Sequence, residues 1–250
     1  SAAAATFDVG TASTFTITST GFPAATVALG GALPTGVTFA AGAAGTGTLS
    51  GTPASGTTGT YPLTVTASNG VGATATQNFV LTVQVVPIIT SANATTFTTG
   101  SAATFTVTTS ASPAVTAVTA SGALPSGVTF TDNGNGTATL AGTPGAGTGG
   151  SYPLTLSAVN SAGTGTQSFT LTVQQPAAIT SGASATFQAG TPGSFAVTST
   201  GFPAPTLTVT GTLPAGVTFV DNGGGAGTLA GTPSPGSGGP YPITLQATNG

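Results

Sequence analysis

A pattern of about ninety residues is written three times in this chain, and that periodicity limits the possible folds more than anything else in it. Leu33-Pro34-Thr35-Gly36-Val37-Thr38-Phe39 returns as Leu124-Pro125-Ser126-Gly127-Val128-Thr129-Phe130, and again as Leu213-Pro214-Ala215-Gly216-Val217-Thr218-Phe219. Each copy is followed by Gly-Thr-Pro (Gly51, Gly142, Gly231) and then by Tyr-Pro (Tyr61, Tyr152, Tyr241). Phe15, Phe105 and Phe195 keep a spacing of 90, as do Gly10, Gly100 and Gly190. Repetition at this length implies one foldable unit copied in tandem. The expected units are residues 1–86, 87–175 and 176–250. Gly, Ser, Thr and Pro are abundant enough to raise disorder as an alternative, but disordered chains do not hold aromatic and aliphatic residues in fixed register across copies.

Each unit reads as strands. Phe15-Thr16-Ile17-Thr18, Leu63-Thr64-Val65-Thr66 and Phe79-Val80-Leu81-Thr82-Val83 alternate apolar and hydroxyl residues. Period two with β-branched residues puts the apolar set on one buried face and the threonines on the other. Nothing favours helix, because Glu, Lys and Arg are absent and Pro or Gly recurs every few residues. In the second unit the pattern predicts strands near 88–91, 103–109, 115–120, 128–131, 137–141, 152–159 and 166–174. Leu-Pro-x-Gly fits a turn in which Pro presets φ, and Asp132-Asn133-Gly134 and Asp221-Asn222-Gly223 fit hairpin turns. About seven short strands in ninety residues is the pattern of an Ig-like β-sandwich. The Tyr opening the sixth strand lies where that fold's tyrosine corner would be. The fold expected is therefore all-β, with tandem Ig-like β-sandwich domains in a linear rod. The joints, Gln84-Val85-Val86-Pro87 and Gln174-Gln175-Pro176-Ala177, are short and carry a Pro, so they read as stiff connectors.

Composition removes most chemistry. There is no Lys, Arg, His, Cys, Met or Trp, and the only acids are Asp8, Asp132 and Asp221. No Ser/His/Asp or Cys/His nucleophile can be assembled, and isolated carboxylates make no acid–base pair, so no enzyme is expected. Transition metals want imidazole or thiolate, nucleic acid wants cations, and neither is offered. No apolar run approaches the length of a membrane helix. One carboxylate per turn is too few for calcium, so the three aspartates read as turn residues and no cofactor or metal is expected. The lack of Met suggests a processed product or an internal window of a longer chain.

Asn93-Ala94-Thr95 and Asn135-Gly136-Thr137 match the N-glycosylation pattern, so Asn93 and Asn135 are candidate sugar carriers as well as ordinary turn residues. Exposed Thr and Ser are candidates for O-linked glycans, which would help keep an almost uncharged surface soluble. Rows such as Thr14-Phe15-Thr16, Thr64-Val65-Thr66 and Thr206-Leu207-Thr208 read as the solvent face of strands, or as hydroxyl arrays facing ice or a polysaccharide.

The sequence LPxGVTF, a Gly-rich turn, LxGTP, and then YPLTVTASNG and xxFxLTV resembles the bacterial "putative Ig" repeat of large surface and secreted proteins. The resemblance spans two whole copies and most of a third. It implies a sandwich used as spacer, stalk or adhesive module in an array, with no catalytic residues. Cadherin-like relatives stiffen their joints with calcium, but the first unit has Ala41-Gly42-Ala43 in place of Asp-Asn-Gly.

The expected role is thus a structural extracellular or cell-surface array, a stalk, spacer or fibre body. Its partners would be neighbouring repeats or copies of itself, with covalent glycans possible. An adhesin that binds glycan, polymer or ice is the alternative. The third copy stops at Asn249-Gly250, the counterpart of Asn69-Gly70 and Asn160-Ser161, before any equivalent of 164–173. An unpaired edge is expected there, belonging either to a longer periodic chain or to a fold completed by a donated strand.

Overall fold

The computed structural model describes residues 1–249, and every regular element among them is a β-strand, as the alternating pattern requires. The first unit pairs β2 (Ser13–Thr18), β5 (Thr46–Gly51) and β4 (Val37–Ala41) in one sheet. Its other sheet holds β3 (Thr26–Gly30), β6 (Gly59–Ser68) and β7 (Ala75–Ile89), with β1 (Ala4–Asp8) running parallel to β7. Phe7, Ile17, Val27, Leu49, Leu63, Phe79, Leu81 and Val83 fill the space between the sheets.

The second unit repeats this arrangement. β9 (Ala103–Ser112), β12 (Thr137–Gly142) and β11 (Val128–Asp132) form one sheet. The other contains β10 (Ala117–Ser121), β13 (Gly150–Asn160) and β14 (Gly163–Ile179), with β8 (Ala94–Thr98) parallel to β14. All seven strands expected in this unit are present, and β8 is an addition. Ala94-Thr95-Thr96-Phe97-Thr98 offers one large apolar residue, so its strand character comes from pairing with distant residues 170–174 rather than from local pattern. The third unit has β15 (Gly193–Phe202), β18 (Ala226–Gly231) and β17 (Val217–Gly223) in one sheet, and β16 (Thr206–Gly211) with β19 (Ile243–Thr248) in the other.

Two glycines per unit explain why LPxG and LxGTP recur together. Gly36 and Gly51 have φ of 91° and 145°, and their backbones cross so closely that a Cβ on either would overlap the other segment's carbonyl. Gly127 with Gly142 and Gly216 with Gly231 do the same. In the turn itself Val37 N–H donates to Pro34 C=O at 3.0 Å, so Pro occupies the first position and Gly the third. The turn expected at Leu-Pro-x-Gly is present with Gly near its end, and the chain reverses through the positive φ of Gly36. The tyrosines form corners as expected, with Tyr61 and Tyr152 donating to Thr57 and Thr148 carbonyls at 2.8 Å and Tyr241 to Ser237 at 3.0 Å.

The joints are strands, not linkers. β7 completes the first unit through residue 83, and its tail then pairs with β9 of the second unit. β14 likewise continues from the second unit to pair with β15 of the third. Pro87 and Pro176 fall where each ladder shifts register, between Val85 and Ile88 and between Gln175 and Ala178. A bulge leaves residues unpaired, so a proline there costs no ladder hydrogen bond.

Candidate functional site

Each joint is clamped by an asparagine. Asn160, at the end of β13, is 6% exposed. Its Nδ2 donates to Val85 C=O in the joint strand and to Pro113 C=O in the neighbouring loop, both at 2.9 Å. Its Oδ1 accepts from Ala162 N–H at 2.9 Å and Gly163 N–H at 3.2 Å. All four capacities of the amide are thus used, as burial demands. Asn249 repeats the clamp at the second joint, donating to Gln175 C=O at 2.7 Å and Pro203 C=O at 2.8 Å. In the first unit the equivalent Asn69 donates to Pro23 C=O at 3.0 Å and accepts from Val71 N–H at 3.1 Å. No described residue lies there for it to clamp.

Glutamines complete the joints. Gln84 Nε2 donates to Asp8 at 2.8 Å, and its Oε1 accepts from Ser161 of the next unit at 3.3 Å. Gln175 Oε1 accepts from Gly147 and Gly149 N–H at 3.1 and 3.3 Å. Gly149 is needed there because a Cβ would come within 2.7 Å of Gln175 and 2.8 Å of Phe202.

The third unit carries an open cleft of about 740 Å³. It lies between β19 and the segment 184–188, and its walls include Phe187, Phe195, Val197, Ile243 and Leu245. The corresponding space in the first unit holds Phe79, Leu81 and Val83, exposed by 0–1%, and in the second Phe169, Leu171 and Val173, exposed by 0–2%. There Phe79 and Phe169 lie 5.2 Å, ring centroid to centroid, from Phe15 and Phe105. No described residue occupies the cleft. In consequence 184–188, the counterpart of β8, is not a strand, and Tyr241 is 36% exposed. Among the described residues β19 pairs only with β16, and its other edge borders this apolar cleft.

The aspartates do more than turn the chain. Asp132 accepts from Gly134 N–H within its hairpin and from Val118 N–H of β10 in the opposite sheet, both at 3.0 Å. Asp221 does the same for Leu207 at 3.0 Å and Gly223 at 2.9 Å. These amides hold both carboxyls below the ordinary carboxylate value, through Gly134 and then Val118 for Asp132, and Leu207 and then Gly223 for Asp221. The first unit has Ala41 at that place. Among the described residues no three His, Cys, Asp or Glu gather as a metal site, and no helix is long and apolar enough to cross a membrane.

Asn93 and Asn135 are both exposed and stand in separate turns of the second unit. Asn135 Oδ1 accepts from Thr137 N–H at 3.1 Å and Thr137 hydroxyl at 2.7 Å. Thr14, Thr16, Thr206 and Thr208 are exposed as the alternation requires. Some of the hydroxyls are engaged internally: Thr26 and Thr206 donate to carbonyls on the paired strand. The joint asparagines and glutamines escaped sequence reasoning, although Asn69, Asn160 and Asn249 close the same strand in every copy.

The sequence profile of the family described as "Putative Ig domain" matches residues 1–84 and 86–174. Among solved structures, a three-Ig structure of titin domains I67–I69 (an E-to-A variant) is similar at 16% identity, with 98% of this chain and 90% of that one covered and a TM-score of 0.61. A complex of Dpr2 Ig1–Ig2 with DIP-Theta Ig1–Ig3 matches at 14% identity, 98% and 91% coverage and a TM-score of 0.61. The N-terminal eight Ig domains of Down syndrome cell adhesion molecule match at 20% identity and a TM-score of 0.57, covering 98% of this chain and 33% of that one. At such identities the likeness is one of fold. Comparison with curated proteins returns no match.

Proposed function

The chain belongs to the putative Ig domain family, and from that premise we propose that it is a stiff extracellular array, the stalk, spacer or fibre body of a surface protein or filament. The observation carrying this reading is the continuity of β7 and β14, of 15 and 17 residues, through the joints. At roughly 3.3 Å per residue each strand is about 50 Å long, and bending at a joint would break a ladder or an asparagine clamp. The units are assigned to residues 1–86, 87–175 and 176–250, with each boundary inside a shared strand. The surface carries almost no charge to keep rods apart, and hydroxyl-linked sugar, with N-linked sugar at Asn93 and Asn135, serves that purpose instead.

Small-angle scattering on the 250-residue chain tests rigidity. Three units of about 40 Å predict a maximum dimension of about 120 Å with a rod-like cross-section. A broad distribution of dimensions, as beads on a flexible string would give, refutes the stalk reading. Antibody labelling of intact source cells tests the location, and labelling only after permeabilisation refutes it.

A further inference from the structure

We infer that Asn135 is a self-modifying site, at which the side-chain amide is lost as ammonia through a cyclic imide formed with Gly136 N, ahead of the other Asn-Gly pairs of the molecule. Four such pairs lie among the described residues: Asn69-Gly70, Asn133-Gly134, Asn135-Gly136 and Asn222-Gly223. Sequence alone makes them equal, because each sets the same unhindered glycine nitrogen beside the same amide. The structure separates them by what holds the attacking nitrogen, the carbonyl oxygen and the departing nitrogen.

At Asn135 all three are set for reaction. Its Oδ1 accepts from Thr137 N–H at 3.1 Å and from the Thr137 hydroxyl at 2.7 Å. The ring closed by the first of these bonds contains both Asn135 Cγ and Gly136 N, so the side chain is kept curled over the peptide it must meet. The negative charge that develops on Oδ1 as the nitrogen adds then falls on two donors already in place. The hydroxyl is itself oriented, because Asn133 Nδ2 donates to it at 2.9 Å and leaves its one proton for Asn135. Gly136 N–H donates to no described residue and Asn135 Nδ2 is bonded to none, so neither the nucleophile nor the leaving group is held back. Only glycine suits position 136, where φ is 79° and a Cβ would stand 3.3 Å from the Thr109 hydroxyl. The fold thus requires the residue that is also the least hindered nucleophile.

The other pairs are restrained. Gly134 and Gly223 N–H are tied to the Asp132 and Asp221 carboxylates at 3.0 and 2.9 Å. Asn133 Nδ2 donates to the Thr137 and Thr139 hydroxyls, and Asn222 Nδ2 to that of Thr228. Asn69 is intermediate: its Oδ1 accepts from Val71 N–H at 3.1 Å but from no hydroxyl, and its Nδ2 donates to Pro23 C=O at 3.0 Å. In the reaction Gly136 N bonds to Asn135 Cγ and gives its proton to solvent water. The Cγ–Nδ2 bond breaks, and Nδ2 takes up a proton to leave as ammonia. Water then adds to either carbonyl of the imide and opens it to aspartate or isoaspartate, with nothing oxidised or reduced. Each conversion adds a fourth acid to a chain whose net charge is -3, in the hairpin that already holds Asp132. The inference is independent of the array reading, and a sugar on Nδ2 would block the reaction.

The 250-residue chain, produced without glycan, is incubated in mildly alkaline buffer and digested with pepsin. Amide-to-acid exchange at each asparagine is followed by tandem mass spectrometry. The same chain unfolded in denaturant gives the rate that sequence alone dictates at each site. Folded Asn135 should react at least about tenfold faster than Asn133 and Asn222, and no slower than it does unfolded. Asn133 and Asn222 should be slower folded than unfolded, with Asn69 between. Thr137→Val keeps the N–H but removes the hydroxyl, and should slow Asn135 by about three- to tenfold, whereas Thr137→Ser should restore it. The comparison among sites in the unsubstituted chain stands whether or not the Val variant folds. Equal folded rates at Asn133, Asn135 and Asn222, a slower rate at Asn135 folded than unfolded, or an unchanged rate in a folded Thr137→Val chain overturns the inference.

Discussion

Replacing Asn160 by Ala tests whether the joint is held by the clamp. The substitution removes four hydrogen bonds, to Val85 C=O, Pro113 C=O, Ala162 N–H and Gly163 N–H. At about 0.5–1.5 kcal/mol net each, the sum is about 2–6 kcal/mol. Pro113 is exposed and the other three residues only half-buried, so water recovers part of this and about 2–4 kcal/mol is expected. For a unit of this size that lowers the melting temperature by about 10–25 °C. The molecule contains its own control. Asn69→Ala removes only the bonds to Pro23 and Val71, both exposed, and should cost about 1 kcal/mol. Hydrogen exchange followed by mass spectrometry, which resolves units with related sequences, reads both effects. Faster exchange should appear in β7 beyond Val83 as well as in β13. Equal costs for the two substitutions would refute the argument that the joint contact stabilises the second unit.

Gly142→Ala should destabilise the second unit by about 3 kcal/mol or more, since its φ of 148° is unfavourable for Ala and the new Cβ meets the Gly127 carbonyl. Chemical denaturation giving a loss under 1 kcal/mol would show that the crossing relaxes easily. Asp132 and Asp221 are depressed, so the stability they contribute is fully present above the unfolded value of about 3.9 and is lost as pH falls through their folded values. Units two and three should therefore weaken below about pH 4, and the Asp132→Ala, Asp221→Ala double variant should lose that part of the acid response; an unchanged acid titration would contradict it. Chelator should change neither melting temperature nor rod length, and a drop in either would reveal a bound cation. Thr- and Ser-rich peptides released from source material should carry mass in excess of their polypeptide by sugar, and peptides spanning Asn93 and Asn135 found only unmodified would exclude N-linked glycan there.

The strands were legible because one face of each is buried, so alternation is written into Phe15-Thr16-Ile17 and its equivalents. What could not be read locally depends on contacts between distant segments. β8 owes its extended pairing to residues 170–174, and in the third unit the equivalent segment has no such partner and is not a strand. Pro87 and Pro176 signal strand ends, yet each falls at a bulge where the missing N–H has no ladder to leave. Asp132 announces a hairpin through Asp-Asn-Gly, but its second oxygen reaches the opposite sheet, which no spacing in the chain reveals. The asparagine clamps were visible as repeated letters and became intelligible only once Val85 and Gln175 were seen to approach them.

The shared strands also determine how stability is distributed along the array. In β7, Phe79, Leu81 and Val83 are buried in the first unit, while Ile89 packs on the core of the second. Unfolding the first unit would release the strand that carries Ile89 and would remove Val85 C=O from Asn160, so the second unit would lose an edge strand and a clamp together. β14 ties the third unit to the second in the same way. Coupling of this kind passes only between neighbours, which makes the array a one-dimensional system whose units differ in stability according to what flanks them. The second unit, flanked by shared strands on both sides, should be the most stable. The third, with its core open to solvent at the cleft, should melt first when the 250-residue chain is heated.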